Sequence, residues 1–320
     1  FLERMYVNSW SKLKVGRCRY GLLLREDGFI ADDGVVGRLA ADRFHVTTTT
    51  GGQAHTLAMM EDYLQTEWPE LDVWLTSVSE QWAVIALQGP LSRAVLDGLV
   101  EGIDISARAM PHMSVAEGRI LGVPMRLFRV SYTGEMGFEV NVPADYGRAV
   151  WEAVVAKGEG LGITPYGTET MHVLRAEKGY IVVGQDTDGT TVPDDVGLGW
   201  ATGKAKRDFV GKRSLARAAM HARMREQLVG LASEDPDFLL EEGAQVLLDA
   251  NGSPPIPPLG HVTSSYRSAN LGRTIALAMV AGGRARMGET VYVSTLGRPV
   301  AAKVTGPVFY DPDGTRLDAE

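Results

Sequence analysis

The sequence predicts an α+β chain in which sandwich-like layers of strands and helices give way to a small C-terminal β-barrel. Three observations carry this reading. Strand-like and helix-like periodicities follow one another in mixed order up to about residue 226, without the regular alternation of a parallel wound sheet. After Leu228 the texture changes to short strands separated by turn residues roughly every ten positions. The 320 residues, 45% hydrophobic and 22% charged, suffice for two or three packed units with proper cores. Segments 1–78, 79–226 and 227–320 are the expected domains.

Taken in order, Phe1, Leu2, Met5 and Tyr6 recur at helical spacing. Tyr20–Leu24 and Phe29–Val36 read as strands joined at the polar Arg25–Gly28, a hairpin signal. A third β-like run covers Arg43–Thr49, and Gly51-Gly52 opens an Ala/Met/Leu-rich helix over Gln53–Thr66 that stops near Pro69. Trp82–Leu87 is a short buried-type strand, and Gly89-Pro90 leads into a helix to about Leu99. Strands Met125–Tyr132 and Phe138–Val142 bracket a glycine-containing turn. A helix from Asp145 to Lys157 is expected to end at a left-handed Gly158. Thr164 caps and Pro165 opens a helix to Lys178, closed by Gly179. A basic helix, Lys212–Glu226, precedes the barrel. Within the barrel Asn251-Gly252 is the strongest hairpin turn, and Pro254, Pro255, Pro257 and Pro258 form a stiff surface loop.

Lys and Arg total 32 against 40 Asp and Glu, and a net charge of −8 repels a phosphate backbone, which argues against nucleic acid as the main ligand. The longest apolar stretches, such as Thr274–Ala281, fall far short of the ~18–20 residues a membrane span needs. A soluble, cytoplasmic protein is expected. The single Cys18 has no partner for an internal disulfide, fits a reducing compartment and reads as a small buried hydrophobe. The chain opens on Phe1, not Met, and Phe1–Trp10 already mixes core-like and charged residues, so it reads as a piece of a longer polypeptide.

Nucleotide fingerprints fail: Gly197–Gly203 is out of register with a dinucleotide loop, and Gly184–Thr191 lacks the lysine of a phosphate loop. The six histidines form no ligand pair at helical spacing, so metal catalysis has little support. Carboxylates framed by glycine remain. Asp32-Asp33 follows an apolar strand and precedes Gly34; it is either a turn or a site in which one carboxylate stabilises a cation or takes a proton. In Tyr132–Val142 the apolar Phe138, Val140 and Val142 alternate with Glu139 and Asn141, so Glu139 faces either solvent or a site. A carboxylate there can accept two parallel hydrogen bonds from a planar ligand with adjacent N–H groups. Arg175, mid-helix, is an ion-pair group or an anion receptor.

The runs DGFIADDGVV (Asp27–Val36), ALQGP (Ala86–Pro90), SYTGEMGFEV (Ser131–Val140), LRAEKG (Leu174–Gly179), DFVGKRSL (Asp208–Leu215), GHVTSS (Gly260–Ser265) and KVTGPVF (Lys303–Phe309) occur in the order and approximate spacing of the glycine-cleavage T-protein family. These are tetrahydrofolate-dependent aminomethyltransferases, and the resemblance covers essentially the whole chain. Within it, Thr164–Asp195 is most similar to the C-terminal part of the alpha subunits of heterotetrameric sarcosine oxidases.

This resemblance implies T-protein-like folate-binding α/β sandwich subdomains followed by the barrel. It maps the family's essential aspartate to Asp32, its pterin-binding glutamate to Glu139, folate-lining tyrosines to Tyr20 and Tyr132, and a nearby arginine to Arg175. Two positions depart from the family: Thr49 stands for an asparagine near the pterin, and Met171-His172 for an Arg-Asp pair. The implied reaction takes the methylene-iminium from sarcosine oxidation, with tetrahydrofolate, to 5,10-methylenetetrahydrofolate and glycine. FAD, FMN and NAD are then expected only outside this chain, with beta, gamma and delta subunits as partners. The alternatives are a free-standing aminomethyltransferase and a folate-binding scaffold without chemistry.

Overall fold

In the computed structural model, which describes residues 1–251 and 255–318, the N-terminal hairpin forms as its alternation requires. Helix α1 (Leu2–Met5) leads to β1 (Cys18–Leu24) and β2 (Ile30–Arg38), and β3 (Phe44–Val46) completes a sheet ordered β1-β2-β3. Helix α2 occupies Gln53–Thr66, the bounds read from the sequence. By its internal contacts the chain divides into two compact units. One comprises Phe1–Leu22, Asp32–Gly167 and the C-terminal residues from Gly314; the other comprises Leu23–Ala31 and Thr168–Asp313. The predicted turn at Gly252 and Pro254 of the proline loop lie outside the described residues.

The first unit is built on an antiparallel sheet of β4 (Trp82–Gln88), β5 (Val100–Glu101), β6 (Ser114–Ile120), β7 (Val123–Arg129) and β8 (Gly137–Pro143), ordered β4-β8-β7-β6-β5. Helices α3 (Ser92–Leu96) and α4 (Gly147–Gly158) cover one face, where Ile85, Leu127 and Val140 pack with Leu96, Val150 and Val154. The other face carries the cross-strand row Val115, Phe128, Glu139, Ala86. On that face Val115 and Phe128 form a second core with Cys18, Val130 and Val35, so the three-stranded sheet lies against it. The two sheets touch at Gly37, where a Cβ would come 2.8 Å from the Phe128 ring. An isolated bridge between Arg17 and Ser114, and the Cys18 amide donating to the Met113 carbonyl (2.8 Å), tie β1 to β6.

In the second unit α5 (Thr168–Glu177) and α6 (Lys212–Leu215) precede a closed barrel. Its strands are β9 (Glu226–Ser233), β10 (Gln245–Leu247), β11 (Gly260–Ser268), β12 (Arg273–Ala281), β13 (Thr290–Val293) and β14 (Val300–Thr305), ordered β10-β11-β12-β9-β14-β13. Val229, Leu231, Val262, Val280, Val291 and Val304 fill its interior, as the short apolar runs after Leu228 require. No helix of the described residues is long and apolar enough to cross a membrane.

Several elements differ from expectation. The basic helix lasts one turn, not to Glu226, which begins β9 instead. The Ser214 hydroxyl donates to the Glu26 carbonyl (2.6 Å), Arg217 donates to the Asp27 carbonyl (2.6 Å), and Arg217 itself is extended. Those tertiary bonds override helix propensity. Helix α3 stops at Leu96 because Asp97 is extended and Gly98 is left-handed. Gly158 stays right-handed; a 3₁₀ turn follows, and Gly162 (φ 74°) is the left-handed stop. Helix α5 begins at Thr168, after Gly167, and not at Pro165. Strand β6 was not expected at all, since its alternation is broken by polar residues and Gly118.

The contact at Gly37 generates a prediction. Gly37→Val forces the side chain into Phe128 and Val115 and should destabilise the protein by about 1–3 kcal/mol. Gly160→Ala, which has nothing within 4 Å of its added Cβ, serves as control. Thermal unfolding of the two variants checks this, and equal midpoints would show that the sheets do not press together at Gly37.

Candidate functional site

Asp32 and Asp33 both lie within β2, so they point to opposite faces of the strand. Asp32 is 2% exposed. Its Oδ1 accepts from the amides of Asp33 (2.8 Å) and Thr49 (3.1 Å), and its Oδ2 accepts from the Thr56 hydroxyl in the first turn of α2 (2.9 Å). The Thr49 hydroxyl in turn accepts from the Gly52 amide (3.1 Å). A Cβ at Gly52 would lie 2.1 Å from Asp32 Oδ2, so only glycine lets the start of α2 reach the carboxylate. Asp32 is thus a caged acceptor, and Thr49 serves the cage.

Asp33 faces the other way. The Tyr20 hydroxyl donates to its Oδ2 (2.7 Å). Burial raises its pKa to about 6 despite that bond, and the neighbouring Asp32 charge adds to the rise. Burial, followed by the charge and hydrogen bond of Asp33, pushes the Tyr20 phenol up, with Tyr132 and Asp32 contributing. Tyr6, 1% exposed, is likewise raised by burial, Asp32 and Asp33. Asn8 holds β1 in place: its amide donates to the Tyr20 carbonyl and its side-chain oxygen accepts from the Leu22 amide, both at 2.9 Å. Asp33, Tyr20, Tyr6 and Tyr132 therefore form one electrostatic cluster.

Glu139 sits in the β8 row between Phe128 and Ala86. Its face is not open solvent, for the next residue on it, Asn141, is 2% exposed. Burial alone raises the Glu139 carboxyl, and among the described residues no hydrogen bond reaches its carboxylate. Its charge is felt by Cys18, whose buried thiol is raised to about 12, and by Tyr166, whose phenol is raised first by burial. Cys18 and Tyr20 are alternate residues on one face of β1, about 7 Å apart along the strand. That face links the Asp33 cluster to Glu139. The small, exposed Ala86 on the edge strand β4 leaves the approach to Glu139 open.

Arg175 belongs to the second unit and is fully buried. Its guanidinium pairs with Asp186, donates to Ser264 Oγ (2.6 Å) and to the Tyr180 carbonyl (3.0 Å), and lies 5.9 Å from the Tyr266 ring centroid. Asp186 also accepts from Thr263 (2.5 Å) and Ser264 (2.7 Å). The structure therefore brings Asp32, Tyr20, Thr49, Tyr132 and Glu139 into one unit and uses Arg175 to fasten α5 to β11. Sequence reasoning named Asp33 only as one of a pair and did not single out Tyr6 or Tyr166 as site residues. Strand alternation across β2 carried the signal for Asp33; Tyr6 and Tyr166 lie in segments read as helical, with nothing to mark them as neighbours of a carboxylate. Among the described residues no group of three or more His, Cys, Asp or Glu could hold a metal ion. What the cluster offers is a carboxyl titrating near neutrality beside phenols, and a second carboxylate free to accept donors.

The profile described as GCVT N-terminal domain matches residues 1–206, and that described as glycine cleavage T-protein C-terminal barrel domain matches residues 226–311. The chain is 48% identical, over 99% of its length, to a sarcosine oxidase subunit alpha of Corynebacterium sp. (strain P-1), of which it covers 33%. It thus spans about a third of the length of such relatives. An aminomethyltransferase of Chloroherpeton thalassium is 30% identical over 97% of the chain and 81% of that protein. The crystal structure of glycine cleavage system aminomethyltransferase T from Bartonella henselae superposes with a TM-score of 0.83 at 24% identity, covering 97% of this chain and 81% of that one, and so shares the fold.

The raised Asp33 carboxyl fixes the sign of a stability effect. Its folded value, about 6, lies above the ordinary 3.8, so its contribution is fully present below the lower value and lost as pH rises through the higher one. Asp33→Asn should therefore stabilise the protein at pH 8 by about 1–3 kcal/mol and have little effect near pH 3.5. Thermal unfolding at the two pH values checks it, and a variant destabilised at pH 8 would mean that the ionised carboxylate is well satisfied.

Proposed function

The chain belongs to the glycine cleavage T-protein family, and from that premise we propose that it is the folate-binding, one-carbon-transfer part of a sarcosine oxidase alpha subunit. The reaction takes the methylene-iminium from sarcosine oxidation, with tetrahydrofolate, to 5,10-methylenetetrahydrofolate and glycine. FAD, FMN and NAD then belong to parts of the complete oxidase outside this chain, and the beta, gamma and delta subunits are its partners. The 48% identity to an oxidase subunit alpha supports this over a free-standing transferase.

The observation that carries the reading is Glu139. It is a partly buried carboxylate with no hydrogen-bond partner among the described residues, and such a group is answered well by a ligand that supplies donors. The adjacent N3–H and 2-amino groups of a pterin are such donors, and two parallel bonds would answer both oxygens of Glu139. Tetrahydrofolate, when bound, supplies the N5 and N10 amines that take up the one-carbon unit. Tyr132 lines the same pocket in this reading. The Tyr20 hydroxyl fixes the rotamer of Asp33, and Asp33, titrating near neutrality, holds or releases a proton at Oδ1. When ionised in that low-dielectric setting, Asp33 stabilises a neighbouring cationic centre. We give this role to Asp33 and not to Asp32, whose oxygens already accept three hydrogen bonds. Asp32 and Thr49 position it, and Arg175 anchors α5.

Two measurements test the proposal. Tetrahydrofolate titrated into the chain should bind saturably, and Glu139→Gln should weaken binding by roughly tenfold or more, the worth of a charge-assisted pair; equal binding by both proteins would move the pterin elsewhere. In the complete oxidase, Asp33→Asn should retain sarcosine oxidation while methylene transfer falls by about 10²–10³. Loss of transfer in Asp32→Asn with full transfer in Asp33→Asn would reverse the two roles.

A further inference from the structure

Glu139 has a second acceptor beside it, two residues along β8. Asn141 lies on the same face of the strand, since the side-chain period is two, and is buried to 2% exposure. Its Nδ2 donates to the Glu139 carbonyl (3.2 Å). A carbonyl oxygen only accepts, so this bond fixes which end of the carboxamide is the nitrogen. Oδ1 is therefore turned to the other side, and among the described residues it accepts no hydrogen bond. Native interiors rarely leave an amide oxygen without a donor, because the lost solvation is not recovered.

The cross-strand neighbours do not supply that donor. On one side Asn141 pairs with Arg126 of β7, whose guanidinium is engaged elsewhere. It lies over the Trp82 ring at 4.2 Å and donates to His45 Nδ1 (3.1 Å) and to Glu117 (3.4 Å). On the other side Asn141 pairs with Val84 of the edge strand β4, as Glu139 pairs with Ala86. Val84 and Ala86 are exposed and carry no polar side-chain atom, so β4 leaves the two acceptors approachable side by side. Alternate residues on a strand stand about 7 Å apart, a span that one planar head group can bridge.

We propose that Asn141 determines specificity at this site: its Oδ1 accepts the second hydrogen of a pterin 2-amino group whose first hydrogen, with N3–H, goes to Glu139. The inference rests on the folate reading of Glu139 and adds to it a requirement for an unsubstituted primary amine. Direction along the strand selects that group. Tyr132, which belongs with Tyr20 to the Asp33 cluster, precedes β8, so Asn141 lies on the far side of Glu139 from that cluster. A pterin with its substituted C6 side towards Asp33 presents the 2-amino group at its opposite end, where Asn141 stands. A head group that lacks one of the three donor hydrogens leaves a buried acceptor unanswered, and a site built on such acceptors rejects it.

The test compares tetrahydrofolate with its N2-methyl derivative, which keeps N3–H and one amino hydrogen for Glu139 but carries a methyl group where Asn141 would accept. Calorimetric titration of the full chain should show the methylated compound binding about tenfold more weakly or worse. In Asn141→Ala, tetrahydrofolate itself should bind about threefold to tenfold more weakly, and the two compounds should come within about threefold of each other. The acceptor is then gone and its space takes up the methyl group, whereas Glu139→Gln should weaken both compounds alike. Should Asn141→Ala fold poorly, Asn141→Thr, whose β-branched side chain suits a strand and stops short of the amine, should lose the same discrimination. Equal binding of both compounds by the wild-type chain, unchanged tetrahydrofolate affinity in the Asn141 variants, or discrimination retained in them would overturn the inference and leave the folate reading standing. Failure of tetrahydrofolate to bind, or binding that Glu139→Gln does not weaken, would overturn the folate reading and this inference with it.

Discussion

The Asp32 carboxylate holds the pitch of β2, and the candidate site depends on that pitch. A buried carboxylate must have its lone pairs answered. Here the donors come from β2 itself, from Thr49 shortly after β3 and from the first turn of α2. One charge thus joins three consecutive elements, and Gly52 provides the close approach the joint requires. In a strand the side-chain period is two, so a slip of one residue would exchange Asp32 and Asp33 between faces. The cage on one side of the strand fixes what stands on the other.

What stands there is destabilised by design of its surroundings. Asp33 has one strong donor, Tyr20, against burial and a neighbouring negative charge. Glu139 has burial and nothing to offset it, because its row in the sheet places it beside the core residue Phe128. Arg175 and Asp186 show the opposite treatment within the same chain: both are fully buried, but each is matched by the other and by hydroxyls. Burial of charge is therefore not general here. It is matched where it fastens helix to barrel, only partly answered at Asp33 and without a hydrogen-bond partner among the described residues at Glu139.

This contrast explains what could be read from the sequence. The N-terminal hairpin, α2 with both its ends, and the barrel were legible because each is specified by local period and by glycine or proline punctuation. The face of Glu139 was half legible: alternation with Phe138 and Val140 put it opposite the core, but only the packed three-stranded sheet shows that the opposite face is covered. The residues alone left Asp32 and Asp33 as a pair, and the resemblance chose Asp32; adjacency in sequence does not say which residue meets donors from α2. The basic run after Lys212 read as a longer helix because Ser214 and Arg217 have partners far away in sequence, at Glu26 and Asp27. Tyr6 approaches Asp33 and Tyr166 approaches Glu139 from segments read as helical, where spacing marks packing and not proximity to a carboxylate.

The runs that carry the family resemblance also separate by physical role. Leu174–Gly179, Gly260–Ser265 and the segment around Lys303–Phe309 converge on α5 as a packing network, while Asp208–Leu215 packs on the Arg25–Gly28 turn. Glu177 takes hydrogen bonds from Ser268 (2.5 Å) and Asn270 (2.7 Å), and its carbonyl accepts from the amides of Phe309 and Tyr310. Lys178 pairs with Asp311 (2.9 Å), and a Cβ at Gly179 would meet the Pro307 carbonyl at 2.8 Å. Asp27–Val36 and Ser131–Val140, in contrast, deliver ionisable groups whose surroundings oppose their charge. The motif matches in the second half of the chain therefore speak first for the fold, and the partners of Arg175 are those of a packing residue. The claim to chemistry rests on the first half alone, where the cost of leaving Asp33 partly answered and Glu139 without a hydrogen-bond partner has no structural return.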